Sequence, residues 1–422
     1  MADAQDRART ILVAGGGIAG LSAAVEAAEA GFQVILVERE PFLGGRVARM
    51  NKYFPKLCPP QCGLEINFRR IRNNPLIRVM TMAEVEKIEG ESGNFTASIR
   101  VYPRFVNEKC TGCGKCSEAA QTSIPDPFNV GMSSVKAAYL PNEFAYPMRY
   151  VIAPEVIGTP EGKAIEAACE YGAVEPAMAE QSLEVKAGAI IWATGWTPFN
   201  ISALSYYGAG KHRNVVSNAV LERLASVSGP FKGVISRPSD GKPVKKIAFV
   251  QCAGSRDENH LAYCSSVCCL ASLKQATYLL EQDPEATVSI FYIDVRALGR
   301  HEGFFDKVRQ DERVSLIKGK PGEITEDPAT GIVTVQVEDQ ATGEILKDQF
   351  DLVVLAAGMV PSTAAQKIPA PGVVYDEFGF VVSNGQTPGI IGAGCDRRPA
   401  DVSSTVQDAT AAVLRAIQAC RR

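Results

Sequence analysis

The sequence predicts an α/β fold with parallel sheets, because short apolar strands alternate along the chain with helical segments. The pattern is clearest over residues 11–38, where a strand ILVA, a glycine-rich turn, a helix IAGLSAAVEAAEA and a strand QVILVE follow one another. It returns as VKAGAIIWATGW at 185–196, and KKIAFVQ at 245–251 opens a second unit. Two units of this kind predict two Rossmann-like domains.

The 422 residues are predicted to divide into five segments. Residues 1–102 and 179–230 form the first Rossmann-like domain together with residues 351–422, which read as a strand, a turn and a long Ala-rich helix. Residues 231–350 form the second domain. Residues 103–178 contain four cysteines and many prolines with little strand pattern, so we interpret them as an insertion.

Composition argues against several classes of partner. A net charge of −3 gives no reason to expect nucleic acid or an anionic membrane surface. No apolar run reaches the ~18–20 residues of a membrane span, and the polar stretch Met1–Thr10 lacks the apolar centre of a secretory signal. We therefore expect a cytoplasmic chain. Its twelve cysteines are then more suited to metal binding or redox chemistry than to disulfides.

The first strand–turn–helix unit contains a dinucleotide-binding fingerprint. Gly15, Gly17 and Gly20 form G-x-G-x-x-G between the strand and the helix, and Glu38 ends the next strand. The glycines permit a tight turn and a close approach of the backbone to a pyrophosphate at the helix N-terminus. Glu38 is suited to hydrogen-bond a ribose hydroxyl.

Four further motifs favour FAD over NAD, because they occur in the order typical of two-domain flavoproteins. They are GGR at 44–46, ATG at 193–195, AAG at 356–358 and GAGCD at 392–396, in which Cys395 interrupts the usual Gly-Asp pair. The predicted FAD-binding residues are Gly15, Gly17, Gly20, Glu38, Gly45, Arg46, Val85, Thr194, Gly195, Gly358, Gly394 and Asp396.

The second unit lacks a second glycine fingerprint. Its first strand leads into QCAGSRD, where the turn has the single glycine Gly254, so the backbone is not suited to approach a phosphate and NAD(P) is not expected. Four cysteines follow this strand instead, and four thiolates can hold a [4Fe–4S] cluster. Zinc, or four reduced thiols in a core, are the alternatives. The predicted cluster ligands are Cys252, Cys264, Cys268 and Cys269.

The insertion begins like a bacterial ferredoxin. Cys110, Cys113 and Cys116 follow the C-x2-C-x2-C spacing, whereas the fourth cysteine of that pattern, which belongs to another cluster, is replaced by Ala120. Cys169 matches the end of a second ferredoxin half whose other cysteines are missing. We expect these four cysteines to hold a second [4Fe–4S] cluster, although Cys169 alone could also be a core residue.

Two further cysteines, Cys58 and Cys62, follow the GGR motif in the sequence CPPQC. They could form a redox-active pair near the flavin, supply ligands to a partner's cofactor, or be structural. Cys420, near the C-terminus, is expected to act as a small hydrophobic residue.

Together these features resemble the A subunits of heterodisulfide reductases. The resemblance rests on the FAD fingerprint, on NEKCTGCGKC in the insertion and, most specifically, on QCAGSRDENHLAYCSSVCC. Within that family the chain is most similar to the small flavin subunits of quinone-interacting membrane-bound oxidoreductase complexes of sulfate-reducing bacteria. The resemblance implies two domains of the FAD/NAD(P) flavoreductase type with an inserted, degenerate ferredoxin-like segment.

The resemblance also implies partners. These are a larger paralogous subunit with flavin and iron–sulfur clusters, a haem-bearing membrane subunit that would attach the chain peripherally to the inner membrane, and adenylylsulfate reductase. The implied function is to relay electrons between menaquinol and the cytoplasmic partner. A stand-alone NAD(P)H-dependent disulfide reductase using Cys58 and Cys62, and a non-catalytic scaffold, are the alternatives.

Overall fold

The computed structural model describes residues 9–54, 57–382 and 388–421. Most of the polar N-terminal stretch, residues 1–8, therefore lies outside the described residues. In chain order the strands are β1 (Thr10–Ala14), β2 (Gln33–Glu38), β3 (Ile77–Thr81), β4 (Ala83–Glu91), β5 (Asn94–Val101), β6 (Ser123–Pro125), β7 (Ser134–Lys136), β8 (Ala138–Tyr139), β9 (Val151–Ile152), β10 (Gln181–Ala187), β11 (Ala189–Trp192), β12 (Trp196–Pro198), β13 (Val215–Ser217), β14 (Lys246–Ala253), β15 (Thr287–Tyr292), β16 (Val314–Lys318), β17 (Glu323–Glu326), β18 (Val333–Glu338), β19 (Ile345–Phe350), β20 (Leu352–Ala357), β21 (Met359–Pro361) and β22 (Ile390–Gly392).

The α-helices alternate with these strands as the sequence predicts. They are α1 (Ile18–Glu29), α2 (Gly45–Ala48), α3 (Gln61–Arg72), α4 (Lys115–Ala119), α5 (Pro160–Ala167), α6 (Asn218–Leu224), α7 (Cys268–Gln282), α8 (Glu302–Arg309), α9 (Ser362–Ala365) and α10 (Val402–Cys420). Within the described ranges, no helix is both long enough and apolar enough to cross a lipid bilayer.

Two parallel sheets of five strands form the framework. The first has the order β22-β11-β1-β2-β3 and the second the order β13-β20-β14-β15-β16. Each is accompanied by a three-stranded antiparallel sheet, β10-β5-β4 in the first domain and β17-β18-β19 in the second. This architecture confirms the predicted α/β fold with two Rossmann-like units.

The strands at the centre of each parallel sheet are continuous apolar runs, because helices or a second sheet cover both faces. Every residue of β1 is buried, and so is every residue of β20. On one face of the first sheet, α1 and α10 pack side by side through small residues such as Ala23 and Ala416. The alanines of these two helices let them approach closely and bury the sheet.

The domain boundaries predicted at residues 230 and 350 need correction. The short strand β13 and the apolar strand β20 both pair within the second sheet, β20 with β14 and β13 with β20. The second domain therefore begins before β13 and extends through β20. The sequence was misleading here because β20 is directly followed in the chain by segments that pack against the first sheet, such as those of Ile368 and Val381, although β20 itself pairs in the second sheet.

The insertion forms a small unit with its own core. Two two-stranded sheets, β6-β7 and β8-β9, pack with α4 and α5 around Ile152 and Ile165. Cys116 is part of this core, and Cys110 and Cys169 pack against it. The fold of this unit thereby brings Cys110, Cys113 and Cys116, which are close in sequence, near Cys169.

Candidate functional site

One large cavity, of about 910 Å³, runs from the first turn of the first domain to the helices α6 and α7 of the second. Eight of the predicted FAD-binding residues line it: Gly15, Gly17, Glu38, Gly45, Arg46, Val85, Thr194 and Gly195. The opposite end is lined by residues that precede or belong to α7, including Ser266 and Val267. An elongated ligand bound along this cavity would therefore contact both domains.

The glycine fingerprint forms one part of the cavity wall. Gly15 has φ +105°, and a Cβ there would lie 2.2 Å from the carbonyl oxygen of Ala193, while a Cβ on Gly20 would lie 1.8 Å from the oxygen of Gly15. The Cβ position of Gly17 is open, with no atom within 4 Å. Gly17 caps α1 without a side-chain bond, so the helix N-terminus is free to receive an anion.

A second glycine turn closes against the first. The Gly44 N–H donates to the Gly16 oxygen at 2.8 Å, and a Cβ on Gly45 would lie 2.9 Å from the Gly17 Cα. Arg46 follows, with its guanidinium 4.9 Å from the centre of the Trp196 ring. Burial lowers the pKa of Arg46 to about 10, so it remains a cation at neutral pH and can balance phosphate charge.

Glu38 lies buried at the end of β2. Its carboxylate accepts the Gly16 N–H at 2.6 Å and the Glu40 N–H at 2.8 Å, which ties the strand to the glycine turn. Burial raises the pKa of Glu38 to about 7 even though these hydrogen bonds favour the charged form. Glu38 is part of the cavity wall, where a ribose hydroxyl could reach it.

The structure differs from the prediction at the C-terminal motif. Asp396 is completely buried behind the cavity wall, where it accepts the Thr194 hydroxyl at 3.0 Å and the Gly195 N–H at 3.2 Å. The neighbouring Cys395 lines the cavity instead, because one turn of 3₁₀ helix begins at Gly394 with φ +65°. Asp396 thus orients the ATG turn rather than facing a ligand, and burial raises its pKa to about 7.

Three predicted FAD residues support the wall from behind. Gly20 is needed for the close packing of α1 onto the Gly15 turn, and Gly394 donates its N–H to Asp408 at 2.7 Å. Gly358 lies against the loop of the second domain, since a Cβ there would be 2.1 Å from the Ser255 hydroxyl oxygen. None of the three is among the residues that line the cavity.

A buried ion pair at the far end of the cavity escaped sequence reasoning. The Lys274 ammonium lies 2.8 Å from the Glu222 carboxylate, and both side chains are more than nine-tenths buried. Glu222 also accepts from Gln275 at 2.6 Å and from the Tyr278 hydroxyl at 3.1 Å. The only signal in the sequence was a lysine within the otherwise buried face of α7.

Of the four cysteines of the second domain, Cys252 lies at the carboxyl end of β14, Cys264 follows the strand, and Cys268 and Cys269 begin α7. A bulge shifts the pairing of β14 with β20 between Val250 and Ala253, and Cys252 within it has φ +56°. Such a bulge turns a side chain away from the regular alternation of the strand. The Sγ of Cys268 lies 3.7 Å from the Ala357 oxygen, and the Sγ of Cys269 lies 3.8 Å from the Asp294 oxygen.

Four thiols are a donor set that suits a [4Fe–4S] cluster, and most of them are shielded from solvent. Cys252, Cys268 and Cys269 are buried, and Cys264 is partly buried. Burial, and the proximity of the other three thiols, raise the pKa of Cys268 well above its usual value. Thiols buried in this way become thiolates when a cationic centre binds them. In the part of the chain that the structure describes, no set of three or more ligand side chains is arranged around a metal position.

The insertion brings its four predicted cysteines to one small cavity. Cys110, Cys113, Cys116 and Cys169 line it, together with Tyr150. The Cys169 sulfur accepts the Ala173 N–H at 3.3 Å, a contact that tunes cluster potentials where a cysteine is a ligand. Burial, and the neighbouring thiol of Cys110, raise the pKa of Cys116 to about 11.

Cys58 and Cys62 lie outside the cavity wall. Cys62 is exposed in the first turn of α3, and Cys58 is partly buried beside Tyr53. A hydrogen bond with Cys58, together with burial, raises the pKa of Tyr53 to about 12. Phe54, next to Tyr53, does line the cavity. Cys58 and Cys62 therefore follow a cavity-lining residue closely in the sequence, but they do not line the cavity themselves.

The turn after β14 is filled by an aromatic side chain. A Cβ on Gly254 would lie 2.4 Å from the ring of Phe199, whose N–H donates to the Gly358 oxygen at 2.8 Å. An aromatic ring thus packs against the only glycine of the turn. This packing agrees with the absence of the glycine fingerprint from the sequence.

Comparison with known sequences identifies relatives along nearly the whole chain. A family model described as FAD dependent oxidoreductase matches residues 10–54. The second iron–sulfur A subunit of the CoB–CoM heterodisulfide reductase of Methanopyrus kandleri is 38% identical, over 99% of this chain and 65% of that protein. The A subunit of the H2:CoB–CoM heterodisulfide,ferredoxin reductase of Methanothermobacter marburgensis is 34% identical, over 96% and 63%. The chain spans less than two thirds of these relatives.

Solved structures support the fold. Thioredoxin reductase of T. acidophilum superposes with a TM-score of 0.53 at 16% identity, covering 98% of this chain and 100% of that one. The bacillithiol disulfide reductase of Bacillus cereus gives 0.53 at 14% identity, covering 98% and 99%. At this identity the likeness concerns architecture alone. The sequence relatives show a flavin-dependent oxidoreductase subunit that is similar to the A subunits of heterodisulfide reductases.

Proposed function

We propose that this chain is an FAD and iron–sulfur electron-transfer subunit of an oxidoreductase complex. FAD would occupy the large cavity, one [4Fe–4S] cluster would be held by Cys252, Cys264, Cys268 and Cys269, and a second by Cys110, Cys113, Cys116 and Cys169. FAD supplies chemistry in steps of one or two electrons, and a cluster accepts one at a time. The protein contributes binding, orientation and adjustment of the potentials.

The observation that carries this proposal is the shared wall between cavity and cysteines. Ser266 and Val267 line the large cavity, and the next two residues in the chain, Cys268 and Cys269, are buried. A cluster held by these cysteines would therefore adjoin the part of the cavity wall that Ser266 and Val267 form. The filled turn at Gly254 supports exchange through clusters and partners rather than with NAD(P).

We further propose that the complex relays electrons between menaquinol and a cytoplasmic partner such as adenylylsulfate reductase in dissimilatory sulfate reduction. The support is the resemblance in sequence, together with the loss of one set of ferredoxin ligands from the insertion, where Ala120 replaces a cysteine. The partners would be a larger paralogous subunit with flavin and iron–sulfur clusters, together with the haem-bearing membrane subunit. The chain would be cytoplasmic and attached to the inner membrane through them.

Anaerobic purification with quantitation of flavin, iron and sulfide tests the proposal. We expect one FAD and two [4Fe–4S] clusters per chain. Cys264→Ala is expected to remove one cluster, about half of the iron and sulfide, and to leave the FAD. Cys420→Ala is the matched control, because Cys420 is a buried cysteine at the end of α10. Purified protein with FAD but without iron would refute the electron relay. Zinc at the stoichiometry expected for the clusters would show that the cysteines form zinc sites instead.

The stand-alone disulfide reductase makes a different prediction. It requires rapid bleaching of the flavin when NADH or NADPH is added to the isolated chain, with Cys58 and Cys62 as electron acceptors. We expect no bleaching on the timescale of seconds. Fast flavin reduction, followed by disulfide reduction that is lost in Cys62→Ser, would favour the reductase over the relay.

A further inference from the structure

A short segment of the first domain, residues 49–54, is held by side chains of the second domain. The segment directly follows α2, and three of its residues, Arg49, Met50 and Phe54, line the large cavity. It is therefore part of the cavity wall. A change in how the second domain holds this segment would alter that wall.

Three side chains of α6 and α7 hydrogen-bond the backbone of the segment. The Glu222 carboxylate accepts the Asn51 N–H at 2.9 Å, and the Lys274 ammonium donates to the Lys52 oxygen at 2.6 Å. The Tyr278 hydroxyl accepts the Lys52 N–H at 3.2 Å and donates to the Glu222 carboxylate at 3.1 Å. All three side chains are buried, so water competes little for these bonds.

Both ends of the segment contact the second domain as well. The Phe54 ring packs against the core of the second domain, with centroids 4.8 Å from His301 and 5.3 Å from Phe304. At the other end, the Arg223 guanidinium donates to the Arg49 oxygen at 3.2 Å. The second domain thus holds the segment from its first residue to its last.

Two of these groups hold the segment from outside the cavity. Tyr278 and Phe304 are not among the residues that line the cavity, whereas Glu222, Lys274 and Arg223 are. A substitution of Tyr278 or Phe304 therefore changes the support of the segment and removes no side chain from the cavity wall.

We infer that Tyr278 and Phe304 are positioning residues that slow the release of FAD by keeping residues 49–54 against the second domain. The inference rests on the proposed function, because it takes FAD to be the ligand of the cavity. An elongated ligand that contacts both domains is released when their shared wall opens. Opening at this segment breaks buried hydrogen bonds, and local opening of this kind is measurable through amide hydrogen exchange.

FAD release and hydrogen exchange of the intact, anaerobically purified chain test the inference together. Tyr278→Phe removes the hydroxyl and keeps the ring. We expect FAD to dissociate about fivefold faster after dilution, the factor that corresponds to one lost hydrogen bond. The Asn51 amide should exchange faster by a similar factor, although it bonds Glu222 rather than Tyr278, because the segment opens as one unit.

Two control variants separate this effect from general damage. Glu281→Gln removes an exposed partner of the Lys52 ammonium on the same helix, at 2.7 Å, and should leave both rates nearly unchanged. Phe350→Leu truncates a buried ring that packs against Phe291 in the core on the opposite face of the second sheet. It should lower the free energy of unfolding without faster release of FAD.

The inference is overturned if either rate in Tyr278→Phe equals that of the wild type. Equal acceleration of FAD release in Phe350→Leu overturns it too, because the effect would then follow from lost stability alone. Should Tyr278→Phe fail to fold, Phe304→Leu, which reduces the ring contact with Phe54, decides by the same criteria. Wild-type protein that does not bind FAD would instead refute the proposed function, so the two failures are distinct.

Discussion

Glu38 should make the stability of the flavin-free first domain depend on pH. Burial raises the pKa of this carboxyl from 4.5 to about 7 in the folded chain. When folding raises the pKa of a carboxyl, its contribution to stability is fully present at a pH below the pKa of the unfolded state. That contribution is lost as the pH rises through the pKa of the folded state. The window is therefore about pH 4.5 to 7. The difference of about 2.5 pKa units corresponds to a loss of about 3 kcal/mol.

The substitution Glu38→Gln tests this sign. Glutamine has nearly the same shape and carries no charge, although it accepts only one of the two backbone N–H groups from Gly16 and Glu40. At pH 5 the Glu38 carboxyl of the wild type is largely neutral and stabilises the fold. The variant should therefore have a free energy of unfolding roughly 1–3 kcal/mol lower at this pH. Between pH 5 and pH 8 its stability should fall by about 3 kcal/mol less than that of the wild type.

Urea unfolding of flavin-depleted protein at both pH values provides the measurement. Both tryptophans, Trp192 and Trp196, lie in the first domain beside the cavity, so their fluorescence follows this domain. Glu29→Gln is the control, since Glu29 is an exposed residue of α1 paired with Arg70. The reasoning would be wrong if Glu38→Gln kept the full pH dependence of the wild type. A residual dependence is expected from Asp396, whose pKa burial raises in the same direction.

Two further substitutions test the cavity wall. Lys274→Met leaves Glu222 buried without its cation, so we expect the free energy of unfolding in urea to fall by about 3–5 kcal/mol. The double variant with Glu222→Gln should recover much of this stability. Equal losses in the single and double variants would refute the pairing. Gly45→Ala places a methyl group 2.9 Å from the Gly17 Cα, so FAD should bind about tenfold more weakly, or ~1.4 kcal/mol, by equilibrium dialysis. Gly31→Ala, also at positive φ but with no atom within 4 Å, is its control and should bind FAD normally.

The first domain could be read from the sequence because its signals are local. The turn of Gly15 and Gly17 lies between β1 and α1, and Glu38 ends the adjacent strand, so strand pairing alone brings them together. The domain boundary at β20 could not be read in this way. An apolar strand fits either sheet, and only the pairing with β14 decides to which it belongs.

Side chains at the cavity also show what could not be predicted from the sequence. The sequence placed Asp396 at the ligand, but the 3₁₀ turn directs Cys395 there and buries the carboxylate against Thr194 and Gly195. Glu222 and Lys274 lie on different helices, and no motif links them. Their pairing follows from the packing of α6 against α7.

The sequence by itself determined the residue types that suit the chemistry: a glycine fingerprint with its acidic residue, and two sets of four cysteines. Spacing along the chain carries that information because backbone geometry over a few residues is local. Only the tertiary structure decided that Ser266 and Val267, which directly precede Cys268 and Cys269 in the chain, face the same cavity as Gly17. Contacts between distant segments depend on how two sheets and their helices bury apolar surface together, which short motifs do not encode.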